Sequence, residues 1–391
     1  MPSESSSGLL SYKTLIGLAE RDCGAYGATE PSLAARFTAL IEWINARGPY
    51  TAEQLDGMRR QLVRLLSNRL RIALDRKRFP VIAQEKIERP IFVIGFARSG
   101  TTLLHSLLAE DPQVTAPRWW HGHVPSPPPG LVPVCAERMN LAQREIERLI
   151  DFVPGLLVLH PYWDKLAHTL IEDEELFTLD FRNAYPNHLY NVPTLEILVE
   201  VAGDPQGTYE FHRELLQHLQ WNTGTRRWAC KGVGHQFHLS TLLDVYPDAI
   251  CVWPHRSPAE THVSMMAIAS VLYDAIDGGR TDWHKQARIM AESMKAGLDH
   301  AMASPLIDDP RVIHLPFKEI VADPVAAVRK VYARADLHYS AEFDQRMRKW
   351  LADPANSADR YGRFPYSAAA FGLSDEWLKE LFADYNRRFD L

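Results

Sequence analysis

Little cysteine and no long apolar run set the first limits on what this chain can be. Four cysteines are spread over 391 residues, and they show neither the spacing of a zinc site nor that of a disulfide framework. No apolar run approaches the roughly 20 residues of a membrane helix, and the N-terminus has no basic leader before an apolar core. We therefore expect a cytoplasmic protein with buried free thiols, no bound metal and no transmembrane segment.

An excess of positive charge is also absent. The formal net charge is −6, whereas nucleic-acid-binding proteins are normally basic, so we expect no nucleic-acid partner. A local basic pocket for an anionic ligand is still compatible with this balance. With 24% charged and 46% apolar residues, the composition is that of an ordinary globular protein. The length fits one large domain or two modest ones.

The first patterns that the sequence does contain are helical. Ser32 is predicted to cap a helix whose apolar residues share one face, and Thr51 with Gln54 forms a capping-box pattern at the start of the next helix. Four later apolar runs indicate strands, at 91–95, 227–232, 249–256 and 311–317. Because these runs are apolar on both faces and are separated by helical segments, they predict a parallel sheet covered on both sides.

These patterns predict an α/β protein, a P-loop-type three-layer sandwich with a central parallel sheet. Residues 1–88 are interpreted as a helical N-terminal extension packed on the core, and residues 89–391 as one α/β domain. A long mixed insertion at 117–225 contains the stiff segment PSPPPGLVP. We interpret it as a mostly helical substrate-side cap on that domain.

The first predicted strand leads into a phosphate-binding type of loop that lacks one residue. Gly95 to Thr102 reads Gly-Phe-Ala-Arg-Ser-Gly-Thr-Thr, so Thr101 follows Gly100 where a lysine is usual. The turn should expose backbone N–H groups at the start of a helix, where an oxyanion binds, and Arg98 adds a permanent charge. Kinases and ATPases use that lysine on phosphates and the next hydroxyl on magnesium. Sulfuryl transfer tolerates the loss, because the transferred group carries less charge.

The loop GFARSGTTLL resembles the 5′-phosphosulfate loop of sulfotransferases that use 3′-phosphoadenosine 5′-phosphosulfate (PAPS), above all in a large bacterial branch. Further segments resemble the same family in the same order, at 209–221, 228–249, 252–266 and 312–332 and at the C-terminus. The resemblance covers roughly residues 90–391. It implies PAPS as the sulfuryl donor, PAP as the product, no metal, and a small hydroxylated molecule as the acceptor.

The resemblance also assigns residues to the donor. The residues that the resemblance implies around the sulfated phosphate are Arg98, Ser99, Gly100, Thr101, Thr102 and Leu103. Arg256 and Ser264 correspond to the family arginine and serine that grip the 3′-phosphate, and an arginine with a hydroxyl at a strand-to-helix junction suits that task. The late loop DRYGRFPY supplies Arg363 as a further basic contact, with Arg360 as the weaker choice.

Catalysis needs a positive group at the leaving oxygen and a base for the acceptor proton. Lys231, at the end of a predicted strand, resembles the family lysine that contacts the sulfuryl or bridging oxygens. Arg98 should lie at the same edge of the sheet as Lys231. His235 matches a recurrent histidine of the branch, and it is either a base or a polar residue that holds the loop. The usual Ser-Pro after this lysine is replaced by Gly232 and Val233, which puts the part played by His235 in question.

The base is where this sequence departs from the family. The usual Trp-Glu before a proline-rich run reads Trp120-His121 here. We predict His121 as the replacement base, since an imidazole titrates near neutral pH. The alternatives are that His235 or His123 has taken over, or that proton abstraction is lost. The acidic cluster HTLIEDEEL at 168–176 is interpreted as structural or helix-terminal rather than metal-binding.

The predicted function is PAPS-dependent sulfotransfer to a hydroxyl of a small acceptor. An apolar or aromatic acceptor is favoured, because the cap is rich in such side chains. Two alternatives stay open: a PAPS- or PAP-binding protein of the same fold without catalysis, and a P-loop kinase. The sequence specifies neither the acceptor nor the oligomeric state, and a homodimer is compatible with it.

Overall fold

The computed structural model describes residues 9–182 and 204–391, which build helices around a five-stranded sheet. The strands are β1 (Ile91–Val93), β2 (Val114–Thr115), β3 (Arg227–Lys231), β4 (Ile250–His255) and β5 (Val312–Pro316). Their order across the sheet is β2-β3-β1-β4-β5, and every neighbouring pair is parallel. The part of the predicted cap at 183–203 lies outside the described residues.

The sheet confirms the predicted α/β class and adds one strand. Four strands fall within the predicted apolar runs, whereas β2 was missed because it has only two residues and pairs with β3 alone. The run at 91–95 yields a strand of three residues. It stops there because the backbone turns into the following loop, where Gly95 has a φ of 104°.

Successive residues of β1 show why the fold has three layers. Ile91 and Val93 pack into one apolar cluster with residues such as Leu107 and Val328. Phe92, between them, packs into a second cluster on the opposite face with Tyr246. Side chains alternate across a strand, so helices must cover both faces of this sheet. The central strands β1 and β4 are buried throughout, as expected for a parallel sheet.

Three helices precede the sheet: α1 (Tyr12–Cys23), α2 (Pro31–Asn45) and α3 (Ala52–Arg78). The capping box of Thr51 and Gln54 is confirmed at the start of α3. The predicted cap at Ser32 is wrong, because α2 begins at Pro31 with Glu30 as its N-cap residue. Proline suits the first helical position, where its missing N–H would have no partner anyway.

The remaining described helices surround the sheet and its carboxyl edge. They are α4 (Thr101–Leu108), α5 (Trp119–His123), α6 (Ala136–Phe152), α7 (Leu156–Leu159), α8 (Asp173–Phe177), α9 (Pro205–Gln220), α10 (Leu239–Val245), α11 (Pro258–Asp277), α12 (Trp283–Ala303), α13 (Phe317–Ala322), α14 (Pro324–Arg334), α15 (Ala341–Ala352), α16 (Asp375–Leu381) and α17 (Ala383–Phe389). Short 3-10 turns lie at Pro80–Gln84, Pro161–His168, Thr178–Asp180, His235–Phe237, Pro305–Asp308, Pro354–Asn356 and Ala368–Phe371. None of the described helices combines the length and apolarity that crossing a membrane requires.

The four cysteines are free thiols, but not all of them are buried. Cys230 on β3 and Cys251 on β4 lie in the core, whereas Cys23 is partly exposed. Cys135 is exposed, so the expectation of burial is wrong there. It occupies the N-cap position of α6, at a surface helix end.

Candidate active site

The loop between β1 and α4 has the geometry of an anion cradle. Gly100 is the N-cap residue of α4 and has a φ of 92°, in the left-handed region that favours glycine. A Cβ atom on it would lie 3.2 Å from the ring of Phe317. Among the described residues no side chain caps this helix. Its first backbone N–H groups are therefore available to an oxyanion.

Arg98 connects this loop to the second predicted anion site. Its Nε donates to the hydroxyl of Ser264 at 2.9 Å, and a terminal nitrogen donates to the carbonyl of Leu159 at 3.2 Å. The carbonyl of Arg98 in turn accepts a hydrogen bond from Arg256 at 3.0 Å. Burial lowers the pKa of Arg98, and the nearby Tyr366 hydroxyl opposes that shift. The structure thus brings Arg98 together with Arg256 and Ser264, which lie far from it in sequence.

Arg256 approaches the same loop from the other side. Its guanidinium lies over the ring of Phe317, 4.7 Å from the centroid, and pairs with Glu260 on the next helix turn at 2.9 Å. The positive charge of Arg256 also lowers the pKa of Arg98. Two neighbouring guanidinium groups repel each other, and a polyanion bound between them would remove that repulsion. We call Arg98, Arg256, Ser264 and the loop at 95–102 the donor side.

The two arginines of the late loop have different environments. Arg363 is 83% exposed in its side chain and pairs with Asp359 at 2.6 Å. Arg360, the weaker choice, points inward and binds both Asp164 and the carbonyl of Pro161. Neither pairing engages Arg98 or Arg256. Tyr366 is the residue of this loop that contacts Arg98 on the donor side. The sequence analysis did not identify it.

Lys231 lies where the prediction put it, at the carboxyl end of β3. It is paired in register with Val93, the last residue of β1. Its side chain is buried, and its Nζ forms an ion pair with Oε1 of Glu172 at 2.6 Å. Glu172 is the residue that precedes α8. A partly exposed carboxylate thus faces the predicted catalytic lysine, and the sequence had offered no reason to connect these two residues.

The next residue, Asp173, organises a buried hydrogen-bond network. Its Oδ2 lies 2.9 Å from Nε2 of His235, whose Nδ1 meets the hydroxyl of Tyr209 at 2.7 Å. Its Oδ1 lies 3.5 Å from Nε2 of His212, whose Nδ1 meets the hydroxyl of Tyr246 at 2.9 Å. Burial raises the pKa of Asp173, but the two histidines outweigh this effect and hold that pKa well below its usual range. Both nitrogens of His235 are occupied, which favours a holding role over that of a base.

Asp173, His212 and Cys230 also have a spacing that a metal ion could use. Their donor atoms lie within 4.8 Å of one another, and all three side chains are buried. His235 occupies Oδ2 of Asp173, whereas Oδ1 of Asp173 and Nε2 of His212 lie 3.5 Å apart and have no hydrogen-bond partner among the described residues. Cys230 is a weak metal ligand in this setting, because burial raises its pKa well above the usual value and keeps the thiol protonated.

Two further carboxyl groups complete the acidic segment. Oε1 of Glu174 accepts the backbone N–H of Gly234 at 2.9 Å, and burial together with Glu172 raises the pKa of Glu174 to about 7. Burial and Glu172 likewise raise the pKa of Glu175 to about 8. The structural or helix-terminal interpretation of this cluster did not include the ion pair between Glu172 and Lys231. We call residues 172–175, Lys231 and His235 the acid side.

The predicted base, His121, has a different environment. Its Nδ1 accepts the backbone N–H of Arg118 at 2.8 Å, so the neutral ring carries its proton on Nε2 and acts as a donor there. Burial and the charge of Arg118 lower its pKa to about 3. His123 stacks on Trp119 at 4.0 Å and lies 3.0 Å from that residue's carbonyl through Nδ1. These contacts do not favour either histidine as the base.

His160 is a further histidine near the site that the sequence did not single out. It follows Leu159, whose carbonyl binds Arg98. Its Nδ1 is buried without a hydrogen-bond partner among the described residues. Burial lowers its pKa to about 3, and the charges of Lys231 and Arg98 contribute to that shift. His160 therefore lies between the donor side and the acid side as a neutral imidazole.

Comparisons with known proteins bear on this arrangement. A model of the sulfotransferase family matches residues 90–341. The chain is 25% identical over 291 residues to the omega-hydroxy-beta-dihydromenaquinone-9 sulfotransferase Stf3 of Mycobacterium bovis, and equally to that of Mycobacterium tuberculosis. Each match covers 68% of this chain and 68% of the relative.

Two solved structures share the fold. The sulfotransferase STF9 from Mycobacterium avium superposes with a TM-score of 0.81 at 24% identity, over 100% of this chain and 99% of that one. The sulfotransferase STF1 from Mycobacterium tuberculosis H37Rv has a TM-score of 0.73 at 23% identity, over 97% of this chain and 100% of that one. The structural similarity includes the N-terminal helices, which lie outside the residues that the family model matches.

Proposed function

Because this chain belongs to the sulfotransferase family, we propose that it moves a sulfuryl group from PAPS to a hydroxyl of a small, apolar or aromatic acceptor. The observation that carries the proposal is the convergence of two arginines and an uncapped helix N-terminus beside a buried lysine and a carboxylate. Such a site offers charge for a sulfated, phosphorylated donor and a proton acceptor for the attacking hydroxyl.

The donor side would hold PAPS, which supplies the activated sulfuryl group. The start of α4, at 99–103, and Arg98 suit the sulfated phosphate. Arg256 and Ser264 suit the 3′-phosphate, because charge-assisted hydrogen bonds are strong and directional. Arg363 would need to leave Asp359 to take part. We therefore give a lasting contact between Arg363 and PAPS less weight in the proposal.

Lys231 would stabilise the negative charge that develops on the leaving oxygen. Its ammonium forms an ion pair with Glu172 in this structure, so the roles of Lys231 and Glu172 are connected. When Lys231 turns toward the sulfuryl group, Glu172 loses its ion-pair partner and becomes available as a proton acceptor. For the base we therefore propose Glu172 in place of His121. His235 and Asp173 would keep the segment before α8 and the loop after β3 together.

The acceptor proposal draws on the relatives and on the residues beside the site. The name of the mycobacterial relatives describes sulfotransfer to a hydroxylated dihydromenaquinone, and we propose for this chain a hydroxyl on an apolar body. His160 is flanked by the rings of Tyr162 and Trp163, which supports an aromatic wall next to Lys231. An acceptor hydroxyl there would find the unpartnered Nδ1 of His160 as a hydrogen-bond partner.

The other two candidates have less support. A P-loop kinase would need the lysine that Thr101 replaces. A binding protein without catalysis was suggested by the missing glutamate at position 121. Glu172 weakens that argument, since a carboxylate lies beside Lys231.

The test is mass spectrometry of a library of hydroxylated acceptors incubated with the purified protein and PAPS. We expect a mass gain of one SO3 group on at least one acceptor, with PAP released in equal amount. Arg98→Met should lose the product, and Arg60→Met, a surface change far from the donor loop in sequence, should keep it. Product that forms with ATP and without PAPS would refute the proposal in favour of a kinase.

A further inference from the structure

A cavity of about 710 Å³ lies between the N-terminal helices α1 and α3 and the segment that includes α5 and α6. The cavity is lined by five arginines: Arg59, Arg60, Arg64, Arg71 and Arg138. Its volume is in the range of small-molecule sites. None of the residues proposed for sulfotransfer lines it. From its charge and its walls we infer that this cavity, which we call the arginine cavity, binds an organic anion with an apolar body.

The charge of the lining is the first reason. Only two carboxylates, Asp22 and Glu145, line the cavity with the five arginines, although the chain as a whole carries a net charge of −6. Both carboxylates are already engaged, Asp22 with Arg71 at 2.8 Å and Glu145 with Arg148 at 2.5 Å. Outside the lining, Asp56 pairs with Arg59 and Arg60. The unpaired positive charge of the cavity therefore lies on Arg64 and Arg138, for which the described residues form no ion pair.

Arg64 is the second reason, because its guanidinium is desolvated without an ion-pair partner. Its hydrogen bonds are long, 3.3 Å to Oε1 of Gln61 and 3.4 Å to the carbonyl of Gly122. No carboxylate of the described residues lies within ion-pair distance of it. Burial lowers the pKa of Arg64 to about 10, with Glu145 and Glu175 opposing the shift, so it is still charged at neutral pH. The Arg64 side chain is only partly exposed. A partly desolvated charge without an ion-pair partner is costly, and a bound anion would reduce that cost.

Arg138 adds an independent indication on the facing wall. One of its terminal nitrogens donates to the carbonyls of Val124 at 2.6 Å and Pro127 at 2.9 Å, which fixes the side chain in place. Its Nε is buried and has no hydrogen-bond partner among the described residues. An unmade hydrogen bond on a buried charged group is rare in folded proteins. An anionic oxygen in the cavity would give this guanidinium an ion-pair partner.

The other walls define the body of the ligand. Leu18, Val63, Val124 and Leu141 also line the cavity. Val63 and Leu141 share α3 and α6 with the arginines, whereas Leu18 lies on α1 and Val124 directly follows α5. A free inorganic ion would leave these apolar walls unused. An acid group attached to a hydrocarbon or aromatic body would use both parts, as in most small-molecule sites.

The test uses two fluorescent probes of nearly equal shape, anilinonaphthalene sulfonate and the uncharged N-phenylnaphthylamine, with saturating PAP present to occupy the donor side. We expect the sulfonate to bind one site on the wild-type chain at least about tenfold more tightly than the uncharged probe, because a hydrogen bond to a charged group is strong. Arg64→Met and, separately, Arg138→Met should abolish this preference. Arg387→Met is the control, since Arg387 does not line the cavity, is exposed and pairs with Asp384.

The wild-type comparison does not depend on how the variants fold. Equal affinity of the wild-type chain for both probes would overturn the inference, and so would an unchanged preference in both Arg64→Met and Arg138→Met. Loss of the preference in Arg387→Met would show that the anion is held outside the arginine cavity and would also contradict the inference. Sulfotransfer is measured separately with the acceptor library, so its failure and the failure of this inference are distinguishable.

Discussion

The donor side and the acid side differ in how their residues come together along the chain. The donor side is built around one continuous motif, 95–102, to which Arg256 and Ser264 are added by a single strand-to-helix junction. The acid side joins residues about sixty positions apart, such as Glu172 with Lys231 at 2.6 Å and Asp173 with His235 at 2.9 Å. A local motif can be interpreted by itself, whereas a contact between distant segments becomes visible only in the folded chain.

The largest effect should come from the acid side. Glu172→Gln removes the carboxylate but keeps its shape, and we expect kcat to fall roughly 10²- to 10⁴-fold, the usual range for loss of a general base. Affinity for PAP, measured by calorimetry, should stay within about threefold of wild type, a difference of less than 1 kcal/mol, because Glu172 does not contact the donor side.

His121→Gln is the control for that experiment. Its ring accepts a backbone N–H and carries its proton on the other nitrogen, so we expect kcat within about tenfold of wild type, well short of the effect of a lost base. If His121→Gln abolished turnover while Glu172→Gln left it intact, the original prediction of a histidine base would be restored.

The second effect concerns folding. Asp173→Asn leaves two buried histidines without their shared charge, and breaking a buried pair of this kind typically lowers the free energy of unfolding by about 3 kcal/mol or more. Denaturant unfolding measures it. Asp56→Asn, which changes an exposed partner of Arg60, should stay within about 0.5 kcal/mol. Equal stability of the two variants would contradict the role of the Asp173 network.

The third effect tests the donor side. Arg98→Met should weaken PAP binding by about tenfold to a hundredfold, the value of a charge-assisted hydrogen bond. Arg363→Met should weaken it by less than about threefold, because that side chain is exposed and salt-bridged to its own loop. A larger loss in Arg363→Met would mean that the late loop closes over the donor, as the family resemblance implies.

These differences explain what could be predicted from the sequence. The parallel sheet was predictable because its strands are short apolar runs between helices, and the loop with Arg98 because its glycines and hydroxyls are contiguous. Strand β2 has too few residues to show a pattern. Glu172 was not recognised, because an acidic run before a helix most often serves its N-terminus. His160 has no local signal, since its significance lies in Arg98 and Lys231 nearby.

The smallest effect is a pH dependence of stability from the acid side. The pKa of Glu175 is raised to about 8 by burial and Glu172, so the folded chain binds this proton more tightly than the unfolded chain. Its contribution is therefore favourable at low pH, and it declines as pH rises from the unfolded value of about 4.3 through the folded one. Glu175→Gln removes this loss, so we expect its midpoint of thermal unfolding to exceed that of wild type more at about pH 8.5 than at about pH 5. An equal difference at both pH values would show that Glu175 takes up no proton on folding, and would contradict the prediction.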